Sequence, residues 1–183
     1  MSEFPGHHAA PTAGFEVPLE MLSACHHRIE RQCETLRRLM PHLAQHGADA
    51  DARAAAAAVM RYFDSAALQH HADEEQDLFP ALLESMAGSD PVCLREMTEL
   101  LVAEHRELES RWRRLRAVLA AVAGGESKVL ERAEVDAFAD LYARHIEREE
   151  RELLPMAARL LGDAELDAVG RAMRERRGIE AID

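Results

Sequence analysis

Few residues of this 183-residue chain are aromatic, only 4%, and few of its stretches are rich in Val, Ile or Thr. Aromatic and β-branched side chains are what a pleated, half-buried surface selects, so their scarcity leaves little argument for strands. Positive charge is also in deficit: Lys and Arg number 22 against 34 Asp and Glu, a formal net charge of −12. No nucleic-acid partner is expected, because a phosphate backbone requires a basic surface, and no anionic membrane surface either. No run approaches the ~20 apolar residues of a membrane span. The longest, Ala54 to Met60, is short and alanine-rich. The N-terminus carries Glu3 and no basic-then-apolar pattern, so no signal peptide is expected. Cys25, Cys33 and Cys93 are an odd set without framework spacing, which fits a reduced, cytoplasmic setting.

What the chain has instead is Ala, Leu, Glu and Arg, all strong helix formers. Residues 1–17, with Pro5, Gly6, Pro11 and Gly14, lack helical periodicity and read as a flexible tail in which His7 and His8 are solvated. Helix A is predicted from about Pro18 to Leu43, its apolar positions Leu22, Ile29, Cys33, Leu36 and Met40 spaced by three and four, with Pro41 a candidate early stop. Helix B is predicted from about Asp51 to Met86, C from about Pro91 to Val122 and D from about Ser127 to Leu161. Turns at His46 to Asp49, Gly88 to Pro91 and Gly124-Gly125 separate them. Pro80 in B and Pro155 in D should kink those helices or end their regular parts. A short amphipathic fifth helix, about Ala164 to Arg176, carries Leu166, Val169 and Met173, and residues 178–183 form a C-terminal tail. Four long helices with short connections make antiparallel neighbours. The expected fold class is therefore all-α: one up-down-up-down antiparallel four-helix bundle over residues 18–177, closed by the short fifth helix.

The two halves repeat. His70, Glu74, Glu75, Leu78 and Pro80 match His145, Glu149, Glu150, Leu153 and Pro155 at a constant offset of 75, and Phe63 matches Phe138. His26, Ile29 and Leu36 match His105, Leu108 and Leu115 at an offset of 79. Each half is a helix hairpin with a lone His on its first helix and His-x-x-x-Glu on its second.

The apolar stripes carry these residues inward. They read Leu22, His26, Ile29, Cys33, Leu36 on A and Phe63, Ala67, His70, Glu74, Ala81 on B. On C they read Leu94, Leu101, His105, Leu108, Trp112, Leu115, and on D Phe138, Tyr142, His145, Glu149, Met156. Residues four apart share a helix face. The heights agree too. About 18 residues follow His26 in A and about 19 precede His70 in B, roughly 27 and 28 Å, and C and D match as well. The B–C turn fits more loosely, by roughly 4–5 Å.

A single histidine on an apolar stripe is ordinarily a core residue bonded to a neighbour. Four histidines and two glutamates at one level are different. Burying an unpartnered carboxylate costs several kcal/mol, and no matching Lys or Arg lies on these stripes. A metal is the natural counter-charge. Glu75, Glu150, Asp73 and Glu147 lie off the stripe and read as solvated or as backing the ligands. Imidazole plus carboxylate suits iron, manganese or zinc, and the lack of inward thiolate pairs argues against a structural zinc site. If both glutamates bridge, each of two metals gains four donors. A bridging oxide or hydroxide adds a fifth and leaves room for an exogenous ligand.

His26, His70-x-x-x-Glu74, His105 and His145-x-x-x-Glu149, with the His-His-x-x-Glu-Glu-x-x-Leu-Phe-Pro run at 70–80, resemble the ligand pattern of the hemerythrin-like, or HHE cation-binding, domain. The segment 165–177 looks like that family's closing helix, so the resemblance covers about residues 18–177. It implies a non-haem di-iron centre held by His26, His70, Glu74, His105, His145 and Glu149, with dioxygen, nitric oxide or peroxide as the small partner. Oxygen-carrying hemerythrins have His-x-x-x-His on the third helix and close with His-x-x-x-x-Asp. Here Glu109 follows His105 and the closing motif is His-x-x-x-Glu. The symmetric set looks more like bacterial hemerythrin-like proteins and the di-iron proteins of iron–sulfur cluster repair. The neighbouring histidine position carries a ligand in an iron-sensing member of the family. His71, however, is about 100° around the helix from His70 and pairs with Ile146 in the repeat, so it is expected behind the donors or in the core. Cys25 and Cys33 are expected to be buried core thiols, with redox activity as the alternative. The expected function is binding or sensing of dioxygen or nitric oxide. The alternatives are a di-iron oxidoreductase acting on nitric oxide or peroxide, an iron donor in cluster repair, and an iron-responsive interaction module whose fold depends on metal loading. No protein partner is indicated.

Overall fold

A computed structural model describes residues 17–86 and 91–179. The tail expected at 1–17 falls almost wholly outside these residues, as do Gly88 to Asp90 of the B–C turn and the last four residues. Among the described residues there is no strand. Nor, among the described residues, is any helix long and apolar enough to cross a membrane.

Helix A is α1, Pro18–His46. Pro18 opens it, where a missing N–H costs nothing. Gly47, at φ 65°, closes it by donating its N–H to the Leu43 carbonyl. Pro41 does not end the helix. It lies on the exposed face, while Leu36, Leu39 and Leu43 on either side are buried and hold the helix against its neighbours.

Helix B is a chain of pieces: α2 (Ala50–Arg61), a π turn π1 (Tyr62–Ala66), α3 (Ala67–Asp73), a π turn π2 (Glu74–Leu78) and α4 (Phe79–Ser85). Asp49 caps its start, accepting from the Ala52 N–H at 2.8 Å. Helix C is α5, Val92–Ala123. Helix D is α6 (Arg132–Arg148), a π turn π3 (Glu149–Leu153) and α7 (Leu154–Leu160). It begins later than its sequence predicts. Ser127 does not cap it but accepts the Ala48 N–H in the A–B turn, and Leu130 is buried in the core before the helix begins. The fifth helix, α8, runs Asp163–Arg176, with Glu165 reaching back to the Gly162 N–H.

The two prolines do not break B and D; π turns absorb them. Proline lacks an N–H and its ring crowds the carbonyl four residues back. In π2 the N–H of Phe79 reaches the Glu74 carbonyl, and in π3 that of Leu154 reaches Glu149, both five residues back. Pro80 and Pro155 come one residue after these widened turns, behind Phe79 and Leu154. The extra residue in the turn moves the inward stripe on by one position. Ala81 and Met156, expected in the core, are half-buried, and Leu78, Leu82, Leu153 and Ala157 are buried instead.

The four long helical segments contact one another in a ring: α1 packs on α2 and α6, and α5 packs on the same two. Cross-helix pairs show that neighbours run in opposite directions. Arg37 meets Asp140 while His26 meets Glu150; Asp64 meets Trp112 while Glu75 meets His105; Glu104 meets His145 while Arg114 meets Glu134. The apolar core forms two clusters. One includes Ile29, Leu36, Phe63, Trp112, Leu115 and Phe138, the other Leu22, Leu78, Leu82, Leu101, Leu153 and Met173. Along A, B and C the buried His and Glu residues fall between the stretches that supply the two clusters; on D, Ile146 of the first cluster follows His145, and Glu149 lies between the clusters.

Candidate metal centre

All six side chains singled out in the sequence are buried: His26, His70 and His145 are 1% exposed, and His105, Glu74 and Glu149 are 0% exposed. The fold brings them together in two overlapping groups. One is His26, His70, Glu74 and Glu149; the other is Glu74, His105, His145 and Glu149. Within each group one donor atom per residue lies within 4.8 Å of the others. Each hairpin thus contributes its own two histidines to one group, and both glutamates belong to both groups.

The carboxylates face both ways. Glu74 Oε1 lies 3.4 Å from His70 Nε2 and 3.9 Å from His26 Nε2, while its Oε2 lies 3.3 Å from His105 Nε2. Glu149 Oε2 lies 3.0 Å from His26 Nε2, and its Oε1 lies 3.0 Å from His145 Nε2. Each glutamate offers one oxygen to each histidine pair, the arrangement a bridging carboxylate requires.

The outer nitrogens explain why the inner ones are free to ligate. His26 Nδ1 donates to Glu150 at 2.6 Å, His105 Nδ1 to Glu75 at 2.7 Å and His145 Nδ1 to Glu104 at 2.9 Å. An ionised carboxylate can only accept, so the proton sits on Nδ1 and the Nε2 lone pair points inward. Carboxylate–histidine pairs of this kind orient metal ligands and raise their basicity. Glu75 and Glu150, expected to be solvated or to back the ligands, do the latter. Asp73 is 0% exposed and ion-paired with Arg176 and Arg177, and Glu147 is exposed and pairs with Arg151. Glu104 escaped the sequence reading. It lies on the neighbouring helix, and nothing in residue type separates it from Glu107 and Glu109.

These residues fit a bound cation. Both oxygens of Glu74 and of Glu149, both ring nitrogens of His70 and Nε2 of His26 are buried without a hydrogen-bond partner. Orphaned buried polar atoms are costly and rare in native proteins. His105 Nε2 and His145 Nε2 face each other at 3.1 Å. With both Nδ1 protons given to carboxylates, two lone pairs meet there, and a proton or a cation must lie between them.

The electrostatics of the metal-free centre follow from the same contacts. Burial alone would lower His145, but Glu149 and Glu104 carry it up to about 9. Burial likewise opposes His26, which Glu149, Glu150 and Glu74 hold well above its usual value. His70 lacks such a partner on Nδ1, and burial drives it down to about 4. For Glu149, burial acts upward, but His145 and His26 pull the carboxyl well below the usual range.

His71, expected behind the donors or in the core, lies against them. It is buried and stacks on the His105 ring, with centroids 3.9 Å apart. One of its ring nitrogens groups with His105 and His145 within 4.8 Å. The Tyr142 hydroxyl stands 3.5 Å from His71 Nε2. Cys25 and Cys33 are free and buried, and burial pushes both thiols up, Cys33 to about 12. A thiol kept protonated is a poor nucleophile and a poor redox sensor, which supports the core reading.

The family model for the hemerythrin HHE cation-binding domain matches residues 17–157. An uncharacterized protein of Haemophilus influenzae is 30% identical over 168 residues, 92% of this chain and 94% of its own length. The paired histidines and shared carboxylates are what a domain named for cation binding needs, and the match spans all six of these residues. The chain belongs to the hemerythrin HHE cation-binding domain family.

Proposed function

We propose that this chain is an up-down-up-down four-helix bundle holding two iron ions, and that it binds or senses dioxygen or nitric oxide. His26 and His70 would hold one ion and His105 and His145 the other, with Glu74 and Glu149 shared between them. The observation that carries the reading is the two-way presentation of the glutamates, each with one oxygen toward each histidine pair. A carboxylate-bridged di-iron pair supplies reversible electron transfer and an open coordination position for a diatomic ligand.

The chain's own residues set the rest. Glu150, Glu75 and Glu104 hold three imidazoles in the ligating tautomer. The two apolar clusters keep water from the layer between them. His71 can join His105 and His145 as a third imidazole. Such a chain works in a reducing cytoplasm, where its three cysteines stay thiols. A second reading, an oxidoreductase acting on nitric oxide or peroxide, would draw on the Tyr142 hydroxyl, which stands 3.5 Å from His71 Nε2 beside the centre.

Metal analysis of the purified protein, with its electronic spectrum, tests the reading. Two irons per chain are expected. His70→Ala and Glu149→Ala should each fall well below two, and full loading of both variants would sink the ligand assignment. Zinc alone would remove every redox reading. Reversible spectral change with dioxygen or nitric oxide supports binding, whereas turnover of peroxide or nitric oxide supports the enzyme.

A further inference from the structure

Asp73 is the residue before the bridging Glu74, at the point where α3 gives way to π2. Its side chain is 0% exposed, and it is held from outside the four long helices. Arg177, in the residue after α8, donates to Asp73 Oδ2 at 2.6 Å and to Oδ1 at 3.0 Å. Arg176, at the end of α8, also donates to Asp73, and it reaches Asp77 at 2.7 Å and Gln76 at 3.2 Å. The two guanidiniums therefore grip the entry and the middle of the π turn that carries Glu74. Val169 and Met173 bury the apolar face of α8 against the same end of the molecule.

The twin half is fastened differently. The position equivalent to Asp73 is Arg148, before Glu149, and it pairs at 2.6 Å with Glu104 on α5, within the ring of long helices. Glu104 also holds His145 Nδ1. The position equivalent to Glu104 is Cys25, which offers no carboxylate, and His70 Nδ1 has no hydrogen-bond partner. One half of the centre is thus braced from within. The other, with His70 and Glu74, is tied to α5 through Glu75, which meets His105 and Arg106, and at Asp73 its charge is met by the last helix of the chain.

We propose that α8 is a latch on the metal centre: the Asp73–Arg176–Arg177 cluster positions π2, and so Glu74 and His70, and metal retention and docking of α8 are coupled. The proposal rests on the two-metal reading above. None of these three residues is a ligand; they act through Glu74 and its turn. Coupling of this kind is reciprocal, so metal should hold α8 down by the same factor by which α8 holds metal in.

Two measurements test it. In the first, wild type, Arg176→Ala/Arg177→Ala, Arg176→Lys/Arg177→Lys and Arg171→Ala are loaded with ferrous iron and titrated with a chelator. The double alanine variant should lose metal at ~10–100-fold lower chelator, the range typical of removing outer partners of a metal site. The lysine pair keeps the charge without the fork and should fall between. Arg171, on the exposed side of α8, should match wild type. In the second, wild type alone is digested with trypsin with and without metal. Removal of metal should speed cleavage within α8 before the long helices are cut. Wild-type retention in the double alanine variant overturns the latch and leaves the metal reading intact. So does equal α8 cleavage with and without metal, or cleavage of the whole chain at one rate. A wild-type protein that takes up no metal overturns both. If the alanine pair fails to fold, the lysine pair and the wild-type digestion decide.

Discussion

Three of the four inward imidazoles carry a carboxylate on their outer nitrogen, and each carboxylate comes from a different helix from its histidine. This makes Glu104 a residue whose importance exceeds its place in the sequence. Glu104→Gln keeps the shape and removes the charge that makes His145 a strong donor. It should weaken metal binding ~10–100-fold with helicity unchanged, as read by chelator competition with circular dichroism alongside. The same imidazoles set the pH response of the metal-free protein. His145 titrates at about 9 when folded, above the ~6.5 of an unfolded chain, so its stabilisation is complete below about pH 6.5 and is lost as pH rises through 9. His70 runs the other way: at about 4 it lies below its unfolded value, and stability falls as pH drops from about 6.5 toward 4. Thermal melts of the metal-free protein should therefore peak near pH ~6.5. A melting temperature that rose from pH 7 to 9 would contradict this account.

At the scale of elements, the π turns decide how the ligand helices are built. π2 and π3 begin at Glu74 and Glu149, and both precede a proline. They keep B and D continuous through residues that would otherwise break them, and they turn Leu78 and Leu153 inward directly beyond the centre. π1 has no counterpart in D, where α6 runs unbroken from Arg132 to Arg148, so the repeat is not an exact one. Pro41 in α1 has no π turn to relieve it and faces solvent. Replacing it restores a backbone hydrogen bond and removes a clash. Pro41→Ala should raise stability by about 1–3 kcal/mol, less what the proline gains by stiffening the unfolded chain. The midpoint of urea denaturation measures this, and a lower midpoint would show that the proline itself stabilises the helix.

Across the whole molecule, two apolar clusters sandwich a layer of buried histidines and carboxylates. The clusters drive folding, and the layer opposes it until its orphaned atoms are satisfied. A ligand that binds only the folded state stabilises it by mass action. At free metal about a hundredfold above the dissociation constant, each site adds ~2.7 kcal/mol, or on the order of 5–10 °C in a domain of this size. Melting with and without chelator should show that rise. An unchanged melting temperature in a protein that demonstrably binds metal would mean that the unfolded chain holds the ions equally well.

The all-α class, the extents of A and C within three residues, the duplication and the inward register of His26, His70, Glu74, His105, His145 and Glu149 were legible in the sequence. Helical periodicity is a local property, and residues three and four apart share a face whatever surrounds them. The tertiary structure alone decided the rest. It set the π turns that shift the stripe past Ala81 and Met156, the extended start of D around buried Leu130, the placement of His71 against His105, and the choice of Glu104 among neighbouring glutamates. Each depends on what another helix presents at that height, and the hold of Arg176 and Arg177 on Asp73 joins residues about a hundred positions apart. Spacing along one helix carries no information about such a partner, because burial and charge pairing are settled only when the helices meet.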